Sequence, residues 1–157
     1  MLGLTGVALV ASMAVPATAA PASSSSGSNE GKCAREFEAT QRQDMESFRD
    51  FDVEAFRAVH DEDAITIFAS GAVRIGLDAI MAALAPHFTE RNAVWRWTEV
   101  FRHVEGCTTA FILYDAFYEI PSEGFVQHTL TGVTYTRKHG KWLGIADQGT
   151  LLPATDG

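Results

Sequence analysis

No charged residue precedes Glu30 in this chain of 157 residues, and no basic one precedes Lys32. The formal net charge of -8 therefore falls entirely in the later part, and a surface so acidic makes nucleic acid a poor partner. Cysteine is scarce, only Cys33 and Cys107, which excludes a disulfide-dense scaffold and any CxxC metal or redox motif. No apolar run makes a convincing bilayer span of about 20 residues. Nucleophile elbow, HExxH, phosphate-binding glycine loop and histidine pairs at metal-ligand spacing are all missing, so neither metal nor cofactor is expected. No internal repeat is visible.

What is present is a globular composition, 46% hydrophobic and 20% charged. Residues 2–15 are uncharged and Ala17-Thr18-Ala19 has the small-x-small pattern of a cleavage site. Residues 1–19 read as a secretory signal, although the usual basic start is missing; a disordered Ala-rich tail is the alternative. Residues 20–32 read as a Ser/Gly-rich disordered linker, 33–152 as one folded domain and 153–157 as a tail. The expected location is secreted or extracytoplasmic. Export would let Cys33 and Cys107 pair, pinning the first helix to a sheet hairpin; one buried and one exposed thiol is the other possibility.

Phe37, Met45 and Phe48 recur at helical spacing within residues 34–49. Asp52 suits the N-cap of a second, short helix ending near His60. The polar run His60-Asp61-Glu62-Asp63 reads as a solvated turn rather than a metal site. Residues 64–69 and 73–75 form a short hairpin, and Leu77, Ile80, Met81, Leu84 and Phe88 stripe a third helix that should kink or stop at Pro86. Residues 94–104, 109–120, 125–137 and 142–152 are four long strands divided by turn signals. Strands this long must curl. The expected fold class is α+β: a cone-shaped, curved mixed sheet of about six strands, mostly antiparallel, wrapped around three N-terminal helices and enclosing a pocket.

Four segments, Asp63-Ala64-Ile65-Thr66-Ile67, Gly76-Leu77-Asp78-Ala79-Ile80, Gly140-Lys141-Trp142 and Asp147-Gln148-Gly149-Thr150, give residues 33–152 a pattern that resembles the SnoaL-like branch of the nuclear transport factor 2-like superfamily. The resemblance implies a cone of sheet closed by three helices. Function is left open, because the superfamily spans isomerases, polyketide cyclases, epoxide hydrolases and non-catalytic binders. Phe68, Ala69 and Ser70 stand where the isomerase-like members carry an acid. Leu113, two before Asp115, breaks the Arg-x-Asp of the epoxide hydrolase-like members. Asp147 could match the last-strand Asp of cyclase-like members.

Turn lengths predict the strand registers. A two-residue turn at His139-Gly140 puts Lys138 opposite Lys141 and Gly132 opposite Asp147, and a four-residue turn at 121–124 puts Phe117 opposite His128 and Asp115 opposite Leu130. Alternation then places Asp115, Phe117, His128, Leu130 and Asp147 on one apolar face, read as the pocket wall. The opposite face, with Tyr114, Tyr118, Thr129, Thr131 and Gln148, reads as a homodimer contact; one bulge would exchange the two. Asp115, His128 and Asp147 are the candidate catalytic acid–base groups, with Trp95, Trp97, Phe117 and Leu130 as ligand contacts. Asp115 could instead pair with Arg96, and His128 and Asp147 could be structural. The expected partner is a small hydrophobic molecule, bound by an exported non-catalytic domain or, alternatively, turned over by a cofactor-independent isomerase, cyclase or epoxide hydrolase.

Overall fold

The computed structural model describes residues 25–153. The expected signal segment and the first residues of the expected linker lie outside them. Helix α1 (Ser25–Arg49) is followed by α2 (Val53–Ala58), β1 (His60–Ile67), β2 (Val73–Ile75), α3 (Leu77–Glu90), β3 (Val94–Glu105), β4 (Thr109–Ile120), β5 (Phe125–Lys138) and β6 (Lys141–Leu151). The strands form one open sheet in the order β2-β1-β6-β5-β4-β3. β1 runs parallel to β6 and every other pairing is antiparallel. The α+β architecture of three helices against a six-stranded mixed sheet is the expected one.

Local chemistry sets the helix limits. α1 begins at Ser25 rather than near Cys33, so residues 25–32, expected as linker, are helical. Asp52 caps α2, its side chain accepting a hydrogen bond from the Ala55 amide at 3.0 Å. α3 continues through Pro86 to Glu90, where Arg91 takes a left-handed conformation and ends it. The run at 60–63 is not a solvated turn: it opens β1, with Asp61 buried and paired to Lys138 at 2.7 Å.

The core lies between α1 and the sheet face bearing Ala110, Ile112, Tyr114, Ala116, Val133 and Tyr135. Phe37 wedges in edge-on to Tyr135, centroids 5.3 Å apart, and lies 5.0 Å from Trp142. This face, read from the sequence as a dimer contact, is therefore the concave one, covered by its own helix. The reading failed because Ala110 and Ala116 resemble surface residues in a strand, whereas here their small size lets a helix sit close.

The β4–β5 register is the predicted one, with Asp115 opposite Leu130 and Phe117 opposite His128. The β5–β6 register starts as predicted at Lys138 and Lys141, then slips. Tyr135 faces Gly144 and Thr134 faces Ala146, which leaves Ile145 as an extra residue. Beyond this bulge Asp147 faces Val133, not Gly132, and so turns to the concave side. Gly144 suits the spot, since a Cβ there would stand 3.2 Å from the His60 ring.

Cys33 and Cys107 form a disulfide across 74 residues, tying α1 to the turn between β3 and β4. Closing a loop of that length restricts the unfolded chain by about 4 kcal/mol in the chain-entropy description. Cys107→Ser should lower stability by up to about that amount, read as a fall in the guanidinium midpoint relative to the oxidised protein. An unchanged midpoint would show that the bond restrains nothing.

Candidate functional site

Between the helices and the concave sheet face lies a cavity of about 420 Å³, within the usual range for small-molecule sites. Phe48, Phe56, Ile80, Leu84, Trp95 and Phe125 supply apolar wall, and two polar stations interrupt it.

The first station gathers residues from four elements. The apolar stripe of α1 carries Asp44 into the interior, 5% exposed, where Tyr135 of β5 donates a hydrogen bond to its carboxylate at 2.5 Å. His60, first residue of β1, donates from Nδ1 to the Phe56 carbonyl at 2.7 Å, because a carbonyl can only accept. Its Nε2 thus faces Asp44 Oδ1 at 3.6 Å, a contact that attracts when the pair shares a proton. Asp147 of β6 completes the cluster, and among the described residues no donor pairs with its carboxylate. It is partly accessible, and that access is to the cavity it lines. Burial away from bulk water, reinforced by the charge of Asp44 and opposed by His60, pushes its pKa up to about 7. Burial likewise holds the Tyr135 phenol well above its ordinary value.

The second station joins α3 to β4. His87 is 6% exposed and stacks on Phe48 at 3.8 Å. It donates from Nε2 to the Phe48 carbonyl at 2.7 Å and meets the Tyr118 hydroxyl at Nδ1, 3.1 Å away. Burial lowers the His87 pKa, partly offset by the bond to Phe48, and raises that of Tyr118.

Several solved structures share this arrangement of elements. One is a proposed scytalone dehydratase from Novosphingobium aromaticivorans, 14% identical, TM-score 0.65, matching 81% of this chain and 89% of its own. A second from the same organism, a nuclear transport factor 2-like protein with a cystatin-like fold, is 17% identical at TM-score 0.65, over 80% of this chain and 85% of its own. A third of that likeness and of unknown function, from Shewanella oneidensis, is 12% identical at TM-score 0.63, over 74% and 98%. The chain has the nuclear transport factor 2-like fold. No protein-family model and no curated protein matches the sequence, so the likeness is one of fold.

Of the seven residues read from sequence as catalytic or ligand-contacting, only Asp147 and Trp95 line the cavity. Asp115 and His128 do meet, Oδ1 to Nε2 at 2.6 Å, but on the convex face with their side chains 41% and 25% exposed. The His128 ring lies flat on Phe117 at 4.0 Å, and Arg96 covers Phe117 while pairing with Glu119 rather than Asp115. Leu130 shares the convex face, and Trp97 packs against the core and Trp95 outside the cavity lining. Sequence reading missed Asp44, His60, Tyr135, His87 and Tyr118. Asp44 was detectable: it lies seven residues after Phe37 and four before Phe48, an acid inside an apolar helical stripe.

A carboxyl whose pKa rises on folding binds its proton more tightly in the native state. Its ionisation therefore weakens the fold as pH rises from the unfolded value near 4 toward 7. That rise in proton affinity corresponds to at most about 4 kcal/mol. Asp147→Asn should flatten the fall in thermal midpoint across that window and stabilise the protein above it; a variant with the same pH profile as the parent would contradict the assignment.

Proposed function

We propose that the chain binds a small, largely apolar ligand in this cavity and moves a proton on it, as a cofactor-independent acid–base enzyme. The observation that carries the reading is Asp147: a carboxylate without a donor among the described residues, inside an apolar wall, its pKa pushed up to about 7. Such a group can accept a proton from carbon next to a carbonyl and return it elsewhere, while Asp44, His60 and Tyr135 hold the surrounding charge in place. Among the described lining residues there is no lysine or arginine. An anionic ligand would meet two acids with only His60 to offset them, which favours a neutral substrate. The fold neighbour described as a proposed scytalone dehydratase is compatible with proton chemistry in such a pocket.

The proposal keeps the SnoaL-like branch and an exported location, with which the disulfide is consistent. It moves the homodimer contact to the convex face, where Phe101 and Val126 are 51% and 62% exposed beside Phe111 and Phe117. Sedimentation velocity should give a dimer for the parent and a monomer for Phe101→Asp; a monomeric parent rules the contact out.

The chemistry is tested with 2-tetralone in deuterated buffer, following loss of its α-protons by NMR. Exchange should exceed the buffer rate, rise with pH through about 7 as Asp147 ionises, and fall by roughly a hundredfold or more in Asp147→Asn. If the ketone binds yet exchanges at the buffer rate, the domain is a binder without acid–base activity.

A further inference from the structure

The second polar station has a fixed direction. The Phe48 carbonyl can only accept, so the proton on the neutral His87 ring sits at Nε2. Nδ1 is left as an acceptor, and the Tyr118 hydroxyl is its partner at 3.1 Å. Phe48, Phe51, Phe88 and Tyr118 crowd the ring, with centroids between 3.8 and 5.6 Å. No carboxylate pairs with His87 among the described residues, so an imidazolium there would lack a counter-charge. Burial depresses its pKa, in keeping with a neutral ring. If Tyr118 turned its proton into the cavity, a buried ring nitrogen would be left without a donor, which is unfavourable. The phenol proton is thus committed to His87, and Tyr118 lines the cavity beside Trp95 and Phe125, so its oxygen can offer a ligand only lone pairs.

We propose that Tyr118 is a specificity-determining acceptor: it selects an uncharged, flat ligand carrying a hydroxyl or N–H donor at the end of the cavity walled by Trp95 and Phe125. His87 is its positioning residue. The inference rests on the cavity being the ligand site and adds which chemical class enters it. A ligand ending in an ether or a carbonyl would set lone pair against lone pair. An O–H would instead extend the chain of bonds from ligand to Tyr118, to His87, to the end of α1.

The test compares 6-hydroxy-1-tetralone with 6-methoxy-1-tetralone by calorimetry at mildly acidic pH, where the phenol is uncharged. The hydroxy compound should bind the parent protein roughly fivefold to tenfold more tightly, and Tyr118→Phe should bring the two within about twofold. His87→Phe keeps an aromatic ring against Phe48 but removes the acceptor. It should narrow the ratio by strengthening methoxy binding, since Tyr118 is then free to donate; a purely structural role would weaken both probes alike. Equal binding to the parent, with Asp147-dependent exchange of 2-tetralone intact, overturns this inference alone. A ratio that survives Tyr118→Phe and collapses in Asp147→Asn assigns the hydroxyl to the carboxylate and also overturns it. Failure of both probes to bind the parent overturns it together with the ligand reading.

Discussion

The seating of α1 against the concave sheet face determines most of what the molecule can do. A helix comes that close to a sheet only where the strands offer small residues, and Ala110 and Ala116, each at most 1% exposed, supply them. Phe37 then fills the space between Tyr135 and Trp142, and one turn pair further along the same stripe arrives Asp44. A carboxylate there would oppose folding if left alone. Tyr135 reaches it from β5 and His60 from β1, so the element that closes the core also builds the charged floor of the cavity.

That floor explains why Asp147 differs from the other acids of the chain. Most of these are at the surface, where water screens them or a basic partner meets them. Asp147 has the apolar wall on one side and a second carboxylate on the other, with only the His60 contact to offset them. Two acids near one proton-bearing imidazole cannot all be satisfied by ionisation. The surplus is relieved by keeping a proton in the cluster near neutral pH, the condition a proton-transferring group requires.

The sequence made the element order legible because hydrophobic period and turn residues are local signals. Strand registers across short turns were legible too, as far as the turn geometry reached: β4 and β5 pair as their turn dictates throughout. The signal ran out at Ile145. A bulge has no strong composition, and one extra residue moved Asp147 to the other face. The choice of concave face was not legible from alternation alone, since both faces of β4 carry large apolar side chains and only the packed helix distinguishes them. His87 and Tyr118, 31 residues apart, meet through tertiary packing that no spacing rule encodes.

The contrast between the Asp115–His128 and Asp44–His60 pairs shows why proximity is a weaker guide than surroundings. Asp115 and His128 are at 2.6 Å, shorter than any contact His60 makes with Asp44. On the convex face, however, both side chains are partly exposed, and solvent screens the contact between them. Inside the cavity the field of each charge is less screened, so burial and the Asp44 carboxylate act strongly on Asp147. The side of the sheet, set by one bulge and one helix, thus places Asp147 where its proton affinity is raised.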